Sequence, residues 1–214
     1  MQVKEIHHEI DVLHNLYGDR SLCSVYGAGC IDKPKVMLIF MNPTAKNVSA
    51  QKSWKGMRAP WLGTKNIWSL LRDLHFLPEQ HFKITQTLQP HEWSLSVCED
   101  IYTELQKKGV YVTNLAKCTQ LDARPLKDDV FRKYVELMKR EIALIKPQHI
   151  ITFGNQVSSI LLGQQVSVSK YSGSQKEDLV IDGQTYHIYP TYYPVGHGRM
   201  NQPKAIKRIL SIMK

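Results

Sequence analysis

Short runs of consecutive apolar residues recur along this chain, separated by longer segments in which apolar residues return every three or four positions. Consecutive apolar residues indicate strands that are buried on both faces of a sheet, and the longer period indicates amphipathic helices. The strands predicted in this way are 36–40, 110–113, 149–153 and 185–189. The last is the second arm of a hairpin that we expect to turn at Asp182-Gly183.

Helices are predicted before and between these strands. Thr64 is a candidate N-cap for one helix, and Ser96 and Glu99 have capping-box spacing for another. The predicted helices span residues 3–17, 64–77, 96–108, 130–146, 154–162 and 203–213. The polar residues after Pro78 are expected to form a loop.

Connections of more than a dozen residues between apolar strands favour parallel pairing with helices on both faces of the sheet. We therefore predict an α/β fold, a three-layer α/β/α sandwich with a central, mainly parallel four-stranded sheet. The chain, residues 1–214, is expected to form a single domain with an N-terminal helix within residues 1–20.

Polar residues follow the apolar strands at the points where the strands end. The first strand runs into Asn42-Pro43, the second into Asn114, and the fourth into a loop that contains Tyr193. Since binding sites of parallel sheets lie beyond the carboxyl ends of the strands, these residues should meet at one edge. Taken singly, Asn42 also suits an Asx turn and Asn114 a strand-end cap.

Positive charge is concentrated in two segments of the chain, whose formal net charge is +9. Residues 33–72 contain eight lysines and arginines and residues 183–214 contain five, and neither segment contains an acidic residue. Both segments include a strand end with candidate site residues. This segregation favours a polyanionic partner, although basic surface also serves solubility alone.

The four cysteines include no C-x-x-C pair and have no histidines at zinc-ligand spacing, so we expect no metal and no other cofactor. No stretch approaches the length of a spanning helix, and the N-terminal segment lacks an apolar signal region. We therefore expect a protein without membrane contact that is cytoplasmic, or nucleoid-associated if bacterial, and monomeric.

Five segments taken together, over roughly residues 20–213, resemble the uracil-DNA glycosylase superfamily. Their order and spacing carry the resemblance, and they read VMLIFMNPT, APWLG, VYVTNLAKC, IKPQHIITFGNQVSSILLG and PTYYPVGHGRMN. The resemblance implies removal of a damaged base from DNA, with Asn42 in the first motif holding the attacking water. It also implies that Trp61 stacks on the base, that Asn114 reads the edge of the base, and that Met41 and Pro43 border the substrate. Trp61 also suits a plain core position.

The last motif departs from the family pattern. Tyr193 and Val195 stand where the family has a histidine that donates to the leaving base and a serine. Tyr193 through its hydroxyl, or His197 four residues on, is the candidate replacement. Phe40 stands where the family usually has glycine, and the loop between Pro43 and Trp61 is longer.

Positive and small residues near these motifs are candidates for DNA contact. The loop at 196–204 matches the family's wedge into the minor groove, although it also suits a flexible basic loop before a helix. The candidate residues are Lys117, Gly196, Gly198, Arg199 and Lys204.

Some branches of the superfamily hold an iron–sulfur cluster through four cysteines. Cys118 stands where one of these cysteines belongs, but Tyr134 falls near the place of the last. Without four thiolates, no cluster is expected.

The sequence thus predicts a DNA glycosylase that excises uracil or a related deaminated base by direct attack of water. Two alternatives remain open. The first is a catalytically silent, nucleic-acid-binding member of the same superfamily. The second is a small-molecule enzyme, such as a nucleoside or nucleotide hydrolase, on the same type of sheet.

Overall fold

Six strands form one mixed sheet in the computed structural model, which describes residues 3–122 and 126–214. The sheet has the order β1-β3-β2-β4-β6-β5. Its strands are β1 Ala28–Gly29, β2 Val36–Phe40, β3 Val110–Asn114, β4 His149–Phe153, β5 Glu177–Ile181 and β6 Gln184–Thr191. The central four, β3-β2-β4-β6, are mutually parallel, and β1 and β5 pair with them in antiparallel fashion at the edges.

The prediction of a four-stranded sheet is therefore wrong in its strand count, although all four predicted strands are present at its centre. β1 has two residues, too few to produce a pattern. β5 is the first arm of the predicted hairpin, and its exposed and buried residues alternate because it is an edge strand. The hairpin turn is confirmed, with positive φ at both Asp182 and Gly183.

Eight helices are found in the described ranges. They are α1 Val3–Tyr17, α2 Asn66–Asp73, α3 Glu79–Thr87, α4 Leu95–Lys107, α5 Asp128–Lys133, α6 Val135–Ile145, α7 Asn155–Leu162 and α8 Gln202–Ile212. None of these helices has the length and apolar character needed to cross a membrane.

Alternate residues of β2 face two different apolar clusters. Val36, Leu38 and Phe40 pack in one cluster with α2, α4 and α8, whereas Met37 and Ile39 pack in the other with α5, α6 and α7. The sheet is thus covered by helices on both faces. Together the two clusters bury every residue of β2, which explains its unbroken apolar run.

Several helix boundaries differ from those predicted from capping residues and apolar periodicity. Ser94, not Ser96, caps α4, because its hydroxyl accepts a hydrogen bond from the Val97 N–H. Thr64 does not cap α2; its hydroxyl donates to the Trp61 carbonyl at 2.7 Å. The helix predicted over 130–146 is divided at Tyr134, and the expected polar loop after Pro78 contains α3.

Candidate functional site

A cavity of about 340 Å³ opens at the carboxyl ends of the parallel strands. Most of the predicted site residues line it. The lining consists of Met41, Asn42, Pro43, Thr44, Lys46, Asn47, Trp61, Thr64, Asn66, Asn114, Tyr193, Val195 and Gly198. This volume lies within the range of about 300–1,000 Å³ that is usual for small-ligand sites.

Asn42 follows β2 in a loop that is fixed by backbone hydrogen bonds. The Leu115 N–H donates to the Phe40 carbonyl at 2.8 Å, and the Gln120 N–H donates to the Pro43 carbonyl at 3.1 Å. The Asn42 amide nitrogen donates to the same Pro43 carbonyl at 3.1 Å. Because the nitrogen is held there, the amide oxygen is directed elsewhere, and it accepts no hydrogen bond from any described residue. It is available to a ligand or a water molecule.

Asn114 ends β3 directly beside Phe40 of β2. The residue is only 2% exposed, yet its side-chain amide lines the cavity and has no hydrogen-bond partner among residues 3–122 and 126–214. The described side-chain atoms that lack both a partner and solvent contact do not include this amide, so it is open to the cavity and to water. The free acceptor and the free donors of Asn114 therefore suit a ligand that presents both a donor and an acceptor.

Trp61 lies on the wall of the cavity in an unusual backbone conformation. Its φ is 68°, a left-handed value that is strained for a residue with a side chain, at about 1–3 kcal/mol. The indole ring meets Phe40 edge to face, with centroids 5.0 Å apart, and Phe40 stacks on Phe153 at 4.3 Å. Phe40 thus supports the aromatic wall.

Tyr193 borders the cavity after the end of β6. Its ring meets Phe40 edge to face at 6.4 Å, and its hydroxyl has no protein partner in the described part of the chain. Burial raises the pKa of this hydroxyl to about 12, so it stays protonated near neutral pH. Gly198 packs closely here, because a Cβ at this position would come within 2.1 Å of the Tyr193 carbonyl oxygen.

The candidate DNA-contacting residues lie in different environments. Gly198 is at the cavity, Arg199 is exposed beside it, and Lys204 is exposed with its Nζ 5.2 Å from the Tyr192 ring centroid. The burial of Gly196 and the side chain of His197 lie outside the described part of the structure. The predicted roles of these two residues are therefore untested.

The expectation that Lys117 contacts DNA is wrong in this structure, because its side chain is completely buried. Its ammonium lies 2.7 Å from the Glu141 carboxylate and also contacts the Thr113 hydroxyl. The Tyr111 hydroxyl donates to the same carboxylate at 2.7 Å. Burial lowers the pKa of Lys117, and the attraction of Glu141 opposes this shift. The pair links the segment that follows Asn114 to α6.

Sequence reasoning missed several residues of the cavity, which all belong to the connection between β2 and α2. They are Thr44, Lys46, Asn47, Thr64 and Asn66. Asn47 is buried and cross-links this connection, donating to the Ala59 carbonyl at 3.0 Å and accepting from the Ser49 N–H at 3.1 Å. The sequence feature that could have indicated this connection as part of the site is its lack of acidic residues.

The described residues that line the cavity include no aspartate, glutamate or histidine. Lys46 and Tyr193 are the titratable residues among them. The cavity can therefore bind an uncharged polar ring, position a water molecule by an amide oxygen and offer a neutral hydroxyl donor. It does not supply a carboxylate base from these residues.

The surroundings of Cys118 do not fit an iron–sulfur cluster. Cys118 is buried in the same apolar cluster as Tyr134, and burial raises the pKa of its thiol, which disfavours a thiolate. Within the described ranges, no group of three histidine, cysteine or carboxylate side chains is placed to hold a metal ion.

Comparison with known protein families gives a match over most of the chain. The model of the Uracil DNA glycosylase superfamily matches residues 26–214. The match includes every residue named above as lining the cavity, and it leaves out α1.

Proposed function

Since the chain belongs to the uracil DNA glycosylase superfamily, we propose that it excises uracil, or a related deaminated or damaged base, from DNA. The observation that carries this proposal is the unpartnered amide of Asn114, buried in a cavity with Trp61 and Asn42. To reach such a cavity, a base must leave the stack of the duplex or come from a single strand.

Asn114 and Trp61 would hold the extracted base. The Asn114 oxygen can accept from the N3–H of uracil while its amide nitrogen donates to O4, a pairing that a carboxylate cannot make. Stacking of a base on an aromatic side chain contributes about 1–3 kcal/mol, which is comparable with the cost of unstacking. The support for this role is the free amide and the rigid aromatic wall.

Asn42 would hold the water that attacks the sugar. The water oxygen forms a bond to C1′ while the N1–C1′ bond breaks, and the electron pair of that bond leaves with the base. An amide does not take a proton near neutral pH, so the water's proton passes to solvent. Asn42 therefore acts by positioning, and we expect slower chemistry than a carboxylate would give.

Tyr193 would donate to the departing base as negative charge grows on its O2. Its neutral hydroxyl is free and borders the cavity, in the motif where the family has a histidine. Removal of one such donor usually costs a factor of about 10²–10³ in rate.

A single-turnover assay with protein in excess tests the proposal. Single- and double-stranded oligonucleotides that carry uracil, hypoxanthine, xanthine or a G·T mismatch are incubated and then cleaved by alkali at abasic sites. We expect cutting at uracil, a loss of about a hundredfold with Asn42→Ala, and a comparable loss with Asn114→Ala.

Lys108→Ala is a suitable control, because this exposed lysine precedes the amino end of β3, at the opposite edge of the sheet. It should cut like the wild type. Absence of cutting in every substrate, or unchanged cutting by Asn42→Ala, would contradict the enzymatic assignment.

A catalytically silent DNA-binding protein is the second candidate. The absence of a carboxylate among the described lining residues and the apolar Val195 in place of serine favour it. It predicts binding to uracil-containing strands without base release in the same assay.

A further inference from the structure

A second groove, of about 410 Å³, lies beside the cavity and shares Lys46 with it. The segment 45–48 separates the two, because Asn47 borders the cavity while Ala45 and Val48 border the groove. This segment is fixed in place, since the Ala45 N–H donates to the Gln120 carbonyl at 2.8 Å and Gln51 Nε2 donates to the Ala45 carbonyl at 3.0 Å. The wall between cavity and groove is thus rigid.

Trp54 is the main aromatic surface of the groove. Its indole N–H donates to the Met57 carbonyl at 3.0 Å, and part of the ring packs against the apolar core. Gly56 makes room for the ring, because a Cβ there would come within 2.6 Å of it. The rest of the Trp54 ring is partly exposed, and the residue lines the groove. The sequence thus builds an aromatic platform that is already oriented without a ligand.

The charge around the groove favours an anion. Lys46 lines the groove, and Lys52 and Lys55 are exposed on the same segment beside it. None of the described lining residues is acidic; the exposed Glu92 lies between His91 and Trp93 in the chain, and its carboxylate accepts from the Gln89 N–H. Trp93 forms part of the wall, and its buried indole N–H has no acceptor among the described residues. An aromatic face beside lysines is the combination that binds unpaired nucleotides without sequence preference.

We propose, on the basis of the function proposed above, that this groove binds an unpaired nucleotide of the same DNA strand, close to the extracted one. Its base stacks on Trp54, and the phosphate between the two nucleotides lies near Lys46, which borders both sites. A base in a duplex cannot offer its face to Trp54. The groove therefore makes the protein favour uracil in single-stranded or locally unpaired DNA.

Binding of a uracil-free oligothymidylate of eight nucleotides tests the groove without any base release. We expect Trp54→Ala to weaken binding about tenfold, while Trp54→Phe, which keeps an aromatic face, stays within about threefold of the wild type. Lys108→Ala, at the opposite edge of the sheet, should bind like the wild type. In the excision assay, Trp54→Ala should slow cutting of single-stranded uracil more than cutting of duplex uracil.

Lys46→Glu provides a test that does not depend on the packing of Trp54, since this side chain is exposed. It should weaken oligothymidylate binding about tenfold, whereas Lys108→Glu should weaken it less than threefold. The proposed role of the groove is wrong if Trp54→Ala and Lys46→Glu both bind oligothymidylate like the wild type. It is also wrong if these variants lose equal affinity for single-stranded and double-stranded DNA. If neither the wild type nor any variant releases uracil, but Trp54→Ala still binds oligothymidylate more weakly than the wild type, the groove binds DNA and the proposed excision is wrong.

Discussion

Tyr193 is the residue whose chemistry most affects the expected rate. Its hydroxyl stays protonated because burial raises its pKa to about 12. We expect Tyr193→Phe to lower uracil excision by a factor of about 10²–10³, because the ring is kept and the donor is lost. We expect Tyr193→His, which restores the family's donor, to raise excision. The measurement is the single-turnover rate on a uracil-containing strand between pH 6 and 9.

The matched control for these substitutions is Tyr192→Phe, at the neighbouring tyrosine that contacts Lys204 instead of the cavity. It should leave the rate unchanged. Equal rates for the wild type, Tyr193→Phe and Tyr193→His would mean that the Tyr193 side chain does not face the departing base.

The meeting of site residues at one edge of the sheet could be predicted where each residue directly follows a parallel strand. Asn42, Asn114 and Tyr193 each follow a parallel strand, and the carboxyl ends of such strands must meet at one edge. The burial of Lys117 was not predictable, because its partner Glu141 comes from α6, elsewhere in the sequence. A sequence shows that a lysine is charged, but not which carboxylate will neutralise it.

Helix α1, which lies outside the family match, is attached to the segment that leads to Trp61. Asp11 on α1 accepts from the Tyr26 hydroxyl at 2.9 Å and from Arg58 at 3.1 Å, and it also contacts the Ser24 hydroxyl. Burial raises the pKa of Asp11, but the hydrogen bonds from Ser24 and Tyr26 and the charge of Arg58 outweigh this and leave the pKa below its usual range.

We expect Asp11→Ala to destabilise the protein by about 1–2 kcal/mol, because three donors lose their acceptor. The thermal midpoint should fall by roughly 3–6 °C. Since the folded-state pKa of Asp11 is lowered, its contribution should be present at neutral pH and disappear as the pH falls below the usual carboxyl range. Thermal denaturation of both proteins at pH 7 and pH 3 measures this.

Glu136→Ala is the control for Asp11→Ala. Glu136 is an exposed carboxylate on α6 that pairs with Lys139, one turn further along α6. Surface pairs of this kind contribute little, so the midpoint should hardly move. A midpoint in Asp11→Ala equal to that of the wild type at pH 7 would mean that α1 is held by its apolar face alone.

Elements with strong periodic patterns were predictable, and those without them were not. Val36–Phe40 and His149–Phe153 have the predicted bounds because they are buried by helices on both sides. α3 was missed because most of its residues are polar, and β1 because a two-residue strand has no period. The break between α5 and α6 lies inside a continuous helical pattern, so tertiary packing decides it.

The distribution of charge over the molecule predicts salt-dependent binding. Exposed basic side chains occur in the loops around the cavity and the groove and in the first turn of α8, and they include Lys46, Lys52, Lys55, Lys65, Arg199 and Lys204. If four of them neutralise phosphates of a single strand, affinity should fall about fiftyfold between 50 and 200 mM salt.

Affinity for a single-stranded oligonucleotide measured at several salt concentrations tests this expectation. Lys65→Ala should reduce the slope of log affinity against log salt by about 0.7, because one fewer counterion is released. Lys108→Ala, at the opposite edge of the sheet, should leave the slope unchanged. Binding that does not depend on salt would instead favour a small uncharged substrate.

The unpartnered Asn114 amide also bears on how this protein can be engineered. Because no described protein group pairs with this amide, the folded state does not depend on its hydrogen bonds, and an apolar side chain of similar size would add buried apolar surface without breaking any of them. Directed evolution for heat resistance alone will therefore favour leucine over asparagine at position 114. Its most thermostable variants will have lost the group that distinguishes one base from another.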